Sequence, residues 1–172
     1  RVGWFKPVST TVVAEAGLLV DQDARFVSEV LRLPQPVTEL SPVSMTPETV
    51  REALEAGESL NNLDQIRSRF AAVAAQADLT LIEGGTTPIE GTLFGLDART
   101  LIEALDARVL VVARWNSVFV ADELLWAREM LGERVIGAVL NVVPKSREAF
   151  AQGALSEALA ARGVPVLAAI PE

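Results

Sequence analysis

The sequence predicts an α/β domain in which helices cover both faces of a mainly parallel β-sheet. Short runs rich in Val, Leu and Ile alternate along the chain with longer segments whose apolar residues recur at helical spacing. The short runs are almost continuously apolar, which is typical of parallel strands buried on both faces. Half of the 172 residues are hydrophobic and only 5% are aromatic, which suits helices packed on such a sheet. A chain of this length fits one domain, which we expect to span residues 1–172.

Five apolar runs predict the strands of the sheet. They are residues 2–8, 79–85, 109–113, 135–141 and 164–171. Because predicted helices separate the later runs, we expect those strands to be parallel and joined by right-handed crossover connections.

Local signals between the runs predict where the helices begin and end. Thr46 followed by Pro47 combines a hydroxyl cap with a proline at the first helical position. This helix is expected to reach Glu55 and to stop near Gly57. The other predicted helices are residues 62–77, 97–105, 121–131 and 146–162, the last ended by Gly163. Four prolines between residues 33 and 47 predict an irregular surface excursion with one short strand near Val43.

Composition and charge exclude several classes of function. The chain has 15 basic and 23 acidic residues and no basic run, so it does not resemble a nucleic-acid-binding protein. It has no cysteine and no histidine, which excludes disulfides, Cys/His zinc sites and histidine acid–base catalysis within these residues. Any metal would need oxygen ligands, as Mg²⁺ does. The absence of a long apolar span or a signal-peptide pattern predicts no membrane segment and a cytoplasmic location.

Ligands of open α/β sheets bind beyond the carboxyl ends of the strands, so the residues that end each run are the candidates for function. These are Lys6, Glu83, Gly84, Gly85, Arg114, Trp115, Asn116, Asn141 and Pro171. Several of them are polar in a way that is unusual for plain turns.

Lys6 and Glu83 each follow a strand-like run. Proline at position 7 fixes the turn after Lys6, and a lysine there can bind an anionic group or can simply be solvated. Glu83 can hold a metal ion or polarise water, or it can be an exposed strand end. Gly84 and Gly85 after it would let a ligand approach the backbone closely.

Asp21 and Asp23 form a D-x-D pair that suits oxygen coordination of Mg²⁺. The alternative is helix capping, which the spacing favours, and one Asp can cap while the other binds metal. Asn141 offers a donor and an acceptor, as reading a purine edge requires, or it is a turn asparagine.

Six segments of the chain occur in the order of one known family. They are VGWFKPV, VDQDARFV, LSPVSMT, LIEGGTTPIEGTLFGLDARTLIEALDARVLVVAR, VIGAVLNVVP and RGVPVLAAIPE. The chain resembles the dethiobiotin-synthetase-like domain found at the N-terminus of some phosphate acetyltransferases and in stand-alone ATPases. It is more distantly similar to cobyrinic acid a,c-diamide synthases.

The resemblance implies a three-layer P-loop NTPase-like fold and a role for each candidate residue. Lys6 would contact the acidic substrate or the transferred phosphate, and Glu83 with Asp21 or Asp23 would hold Mg²⁺. The other implied contacts are Gly84 and Gly85 in the substrate loop, Asn141 at the adenine and Pro171 at the purine pocket.

The family begins with a strand and a Walker A loop, G-x-x-x-x-G-K-[ST], upstream of VGWFKPV, and residues 1–172 contain no such motif. Since the sequence opens at Arg1 inside a strand-like run, we expect it to be a piece of a longer chain. The resemblance implies ATP and Mg²⁺ as cofactors, and a ligase-like enzyme or ATPase that activates a carboxylate or carbamate by phosphoryl transfer.

The alternative function is a non-catalytic nucleotide-sensing or interaction domain that regulates an attached phosphate acetyltransferase or similar module. The expected partners are a nucleotide and a small acidic substrate. A C-terminal partner domain and a homodimer are compatible with the resemblance, whereas nucleic acid and membrane are not expected.

Overall fold

A computed structural model of the chain describes residues 1–15 and 17–172. Two compact units make up the chain, Arg1–Leu105 and Asp106–Glu172. Parallel strand pairs and helices occur in both units, which confirms the predicted α/β class. In the described residues, no helix combines the length and apolar character needed to cross a membrane.

The first unit contains six strands and five α-helices among its described residues. In chain order these are β1 (Val2–Phe5), β2 (Val8–Ser9), β3 (Val12–Glu15), β4 (Leu18–Asp21), α1 (Gln22–Leu31), α2 (Val37–Leu40), β5 (Val43–Ser44), α3 (Pro47–Ala56), α4 (Leu63–Ala74), β6 (Leu79–Ile82) and α5 (Ala98–Ala104). Strand β1 pairs in parallel with β6, and β2 pairs in parallel with β5. Strands β3 and β4 form an antiparallel hairpin.

The second unit is a three-stranded parallel sheet with the order β7-β8-β9 and its connecting helices. Its elements are β7 (Val109–Arg114), α6 (Val120–Leu131), β8 (Val135–Val143), α7 (Glu148–Phe150), α8 (Ser156–Ala160) and β9 (Val166–Pro171). A π-helical turn, Ala151–Leu155, separates α7 from α8, and Gly153 within it leaves the helical conformation. The continuous helix expected over residues 146–162 is therefore interrupted.

The ends of α3 agree with those predicted from local sequence signals. The Thr46 side chain accepts a hydrogen bond from the backbone N–H of Thr49 at 3.2 Å, and Pro47 occupies the first helical position. Gly57 ends the helix with φ of 68°, in the left-handed region that favours glycine. The short strand expected near Val43 is β5.

The β3–β4 hairpin was not predicted. Its strands have only four residues each, too few for alternation to stand out from the neighbouring runs. Gly17 precedes β4 with φ of 82°, a conformation that glycine adopts readily and that suits the reversal of the chain.

The strands also differ from expectation in their burial. Leu79 and Leu81 on β6 are 59% and 53% exposed, and they alternate with half-buried neighbours. Alternation between exposed and half-buried side chains also occurs on β7. Continuous apolar composition therefore did not ensure burial of both faces, because Leu and Val also contribute much of a protein's accessible surface.

The core of the first unit surrounds the end of β1. Trp4 is buried and Phe5 is fully enclosed, with its ring 5.6 Å from that of Phe70 on α4. Leu40 and Ile66 are also fully buried in this cluster. Packing of this density fixes the backbone where β1 ends, immediately before Lys6.

Candidate functional site

Lys6 follows β1 and is held by both its backbone and its side chain. Its N–H donates to the carbonyl of Leu40 at 2.8 Å, and Pro7 restricts the backbone after it. Only 7% of the residue is exposed, so its ammonium is largely withdrawn from water. A buried ammonium of this kind requires compensating charges close by.

Three carboxylates surround the Lys6 ammonium. Its Nζ lies 2.6 Å from Asp23 Oδ2, 3.1 Å from Asp21 Oδ2 and 3.2 Å from Glu83 Oε1. We refer to these four residues as the Lys6 cluster. Their placement after strand-like runs led us to expect that Lys6, Glu83 and one of Asp21 and Asp23 meet, and in the structure both Asp residues take part.

The parallel pairing of β1 and β6 explains why Lys6 and Glu83 meet. Phe5 is in register with Ile82, so the next residue of each strand emerges at the same edge. The N–H of Glu83 donates to the Phe5 carbonyl at 2.9 Å and continues the ladder by one residue. The carboxyl ends of these strands therefore place a cation beside an anion.

Asp21 caps α1, as the spacing favoured, and it also contacts Ser9 and Lys6. As the N-cap of α1, it accepts a hydrogen bond at Oδ1 from the Ala24 N–H at 2.6 Å. Its Oδ2 accepts a hydrogen bond from the Ser9 hydroxyl and faces Lys6. Asp23 lies in the first turn of the same helix, and its side chain is 57% exposed.

The charge balance of the Lys6 cluster is negative. Burial of Lys6 alone would lower its pKa, but the hydrogen bonds to Asp23 and Asp21 and the nearby Glu83 charge raise the pKa above its ordinary value. Lys6 is therefore a fixed cation at physiological pH. One ammonium and three carboxylates leave a formal charge of −2.

The carboxylates around Lys6 can be compared with the ligands that the implied Mg²⁺ would need. Within residues 1–15 and 17–172, no three His, Cys, Asp or Glu side chains are arranged to hold a metal ion by themselves. Instead, the three carboxylates converge on an ammonium. Mg²⁺ at phosphate sites commonly takes one or two carboxylates together with phosphate oxygens and water. Asp23 and Glu83 fit that requirement because both side chains reach solvent.

The two glycines in the loop after β6 have different surroundings. A Cβ at Gly84 would have open space around it, as the approach of a ligand requires. A Cβ at Gly85 would instead clash with the carboxylate of Glu90, which accepts a hydrogen bond from the Thr86 N–H at 2.8 Å. A side chain at position 85 would therefore require the Glu90 carboxylate to move.

In the second unit, Asn141 and Pro171 lie toward the carboxyl ends of neighbouring strands β8 and β9. Asn141 lies within β8, two residues before the end of the strand, rather than in a turn, and its Oδ1 accepts a hydrogen bond from the Val142 N–H at 3.0 Å. Val142 has φ of 58°, which is strained for a β-branched residue. Pro171 is in register with Val143.

Sequence reasoning missed Ser9 and Glu90. Ser9 is 1% exposed and contacts Asp21, although it lies in a run of small polar residues that resembles a turn. Glu90 folds back on its own loop four residues after Thr86. Neither contact leaves a periodic signal in the sequence, because both depend on how loops close.

A comparison with protein families gives one match that covers the chain. The family model described as AAA domain matches residues 1–172, which is the full length of the sequence.

Proposed function

Because this chain belongs to the AAA domain family, a P-loop NTPase-type family of nucleotide-binding ATPase-like domains, we propose that it acts in an ATP- and Mg²⁺-dependent ligase-like enzyme or ATPase. The proposed reaction activates a carboxylate or carbamate by phosphoryl transfer. Such reactions are catalysed mainly by positioning the reactants and by neutralising charge. The small acidic substrate and the nucleotide are the proposed partners.

The Lys6 cluster is the observation that supports this proposal. Lys6 is a permanently charged ammonium at the carboxyl ends of two parallel strands, where ligands of α/β sheets bind. We assign it to the acidic substrate or to the phosphoryl group in transfer. An ammonium in that place can bind an anion and balance charge that develops on it.

Asp23 and Glu83 are assigned to the Mg²⁺ that accompanies the nucleotide. Both have accessible carboxylate oxygens beside Lys6, whereas the two oxygens of Asp21 already accept hydrogen bonds from Ala24 and Ser9. When bound, Mg²⁺ would neutralise phosphate charge. Gly84 is assigned to the substrate loop because the space around it is open.

In the second unit, Asn141 and Pro171 are assigned to the purine. The Asn141 amide nitrogen can donate to a base even while its oxygen accepts from Val142. Asn141→Leu removes that donor without adding a charge. In a chain that includes a Walker A segment, we expect this variant to weaken ATP binding without changing the affinity for inorganic triphosphate.

Calorimetric titration with Mg²⁺-ATP tests the function. Residues 1–172 alone should bind weakly, because the Lys6 cluster is negative and no glycine-rich loop offers backbone N–H groups to the phosphates. A chain extended upstream by a Walker A segment should bind tightly. Tight binding by residues 1–172 alone would show that other groups hold the phosphates.

Turnover separates the enzyme from the regulatory alternative. An enzyme releases phosphate or forms a phosphorylated product when a small carboxylate is added to the extended chain with Mg²⁺-ATP. Binding without any turnover across a panel of carboxylates and carbamates would favour a nucleotide-sensing domain. No binding by an extended chain that carries the loop would remove both readings.

A further inference from the structure

The three carboxylates around Lys6 are not equivalent. The side chain of Asp21 is 1% exposed, whereas those of Asp23 and Glu83 are 57% and 39% exposed. Asp23 and Glu83 can therefore turn toward a ligand and remain hydrated as they do so. Asp21 cannot leave Lys6 without burying an uncompensated charge.

Asp21 is also oriented from two other sides. Its Oδ1 is fixed by the first turn of α1 through Ala24, and its Oδ2 is fixed by the Ser9 hydroxyl. Rotation of the carboxylate would break both hydrogen bonds at once. The oxygen that faces Lys6 is thus the oxygen to which Ser9 donates.

Ser9 itself has little freedom. It belongs to β2, pairs in register with Ser44 on β5, and its carbonyl accepts a hydrogen bond from the Met45 N–H at 2.7 Å. With the backbone held and the residue 1% exposed, the hydroxyl can donate either to Asp21 or to the Thr11 carbonyl at 3.3 Å. The charged acceptor is the stronger of the two.

We propose that Ser9 is a positioning residue, whose hydroxyl orients Asp21 so that the Lys6 ammonium stays at the end of β1 when Asp23 and Glu83 turn to a ligand. The purpose of this arrangement rests on the proposed function, in which Lys6 meets an anion. The arrangement itself exists without ligand. It can therefore be measured separately from nucleotide binding.

The chain contains only two lysines, Lys6 and Lys145, which makes the ammonium easy to observe. Lys145 is exposed and serves as an internal reference. In protein labelled with ¹³C at lysine, a rigid Lys6 should show two distinct ε-methylene proton shifts, while Lys145 shows one averaged shift. Acetylation by an amine reagent, read by mass spectrometry, gives the relative reactivity of the same two groups.

Ser9→Ala is the principal variant, measured without ligand. We expect the Lys6 proton shifts to merge and its acetylation rate relative to Lys145 to rise about ten-fold, as loss of a hydrogen bond to a charged group allows. Ser9→Thr keeps a hydroxyl and should restore the behaviour of the unaltered protein. Ser44→Ala removes a buried hydroxyl that has no hydrogen-bond partner in the described residues, so it should change neither readout.

Asp23→Asn is a second test variant, and it leaves the buried side chains unaltered. It removes the closest charge from Lys6, yet Asp21 should keep the two ε-methylene shifts distinct. The proposal is overturned if Ser9→Ala leaves Lys6 unchanged, if Ser44→Ala alters it equally, or if Asp23→Asn merges the shifts. If Ser9→Ala fails to fold, Ser9→Thr and Asp23→Asn decide. Absence of Mg²⁺-ATP binding would contradict the proposed function but not the positioning of Lys6.

Discussion

At the scale of single residues, Lys6 takes part in three ion pairs. It neutralises part of the charge of three carboxylates, one of which is buried with it. Removing one partner of a buried ion pair leaves the other charge uncompensated, and that loss exceeds the value of an exposed pair. The residue that we propose to bind an anion is therefore also one on which stability depends.

Lys6→Met keeps the length of the side chain and removes its charge. We expect the free energy of unfolding, measured by urea denaturation at neutral pH, to fall by about 3 kcal/mol because Asp21 is left buried without a counterion. Lys145→Met is the matched control and should be nearly neutral, since Lys145 is exposed. A Lys6→Met protein as stable as the control would contradict the account of the cluster.

The pH dependence of that loss has a definite sign. Because the Lys6 pKa is raised above its usual value, its stabilising contribution is fully present below about pH 10 and disappears only at higher pH. The difference in the free energy of unfolding between the unaltered protein and Lys6→Met should hence be constant from about pH 7 to pH 9. A difference that varies across that range would be inconsistent with this.

At the scale of elements, local signals decided how much could be predicted. The ends of α3 followed from Thr46, Pro47 and Gly57, since caps act within one turn of the chain. The continuous helix expected over residues 146–162 was wrong, because Gly153, which disfavours the helical conformation, lies inside it and the helix breaks there. The β3–β4 hairpin could not be predicted in the same way, because four-residue strands have too little periodicity.

Two of the N-caps in the first unit, Thr46 and Asp21, give a test at this scale. Thr46→Ala should lower the free energy of unfolding by about 1 kcal/mol, the usual value of a cap, and Thr46→Ser should restore most of it. Asp21→Ala should cost distinctly more, because Asp21 also pairs with Lys6. Equal losses in chemical denaturation would mean that Asp21 acts only as a cap.

At the scale of the whole molecule, strand pairing decided which site residues could be predicted together. Lys6 and Glu83 are 77 positions apart in sequence, but each directly follows one of two paired parallel strands. Predicting that two such residues meet requires only knowing which strands end at the same edge of the sheet. That knowledge carries no information on Ser9, whose contact with Asp21 depends on the packing of side chains from β2 and β4.

The chain carries a net charge of −8, and this affects nucleotide binding as a whole. ATP is itself an anion, so binding by a chain that includes a Walker A segment should depend strongly on Mg²⁺. We expect removal of Mg²⁺ with EDTA to weaken the binding of ATP, measured by calorimetry, by at least about 100-fold, which corresponds to about 2.7 kcal/mol. Equal affinity with and without Mg²⁺ would contradict the assignment of Asp23 and Glu83.

The buried position of Trp4 has an optical consequence. The chain has three tryptophans and no tyrosine, and only Trp4 belongs to the first unit, two residues before Lys6. It is 5% exposed, whereas Trp126 in the second unit is 53% exposed. After Trp115→Phe and Trp126→Phe, the remaining fluorescence would come from Trp4 alone. Its emission wavelength and its quenching by acrylamide would then report changes in solvent exposure at the end of β1 without any added dye.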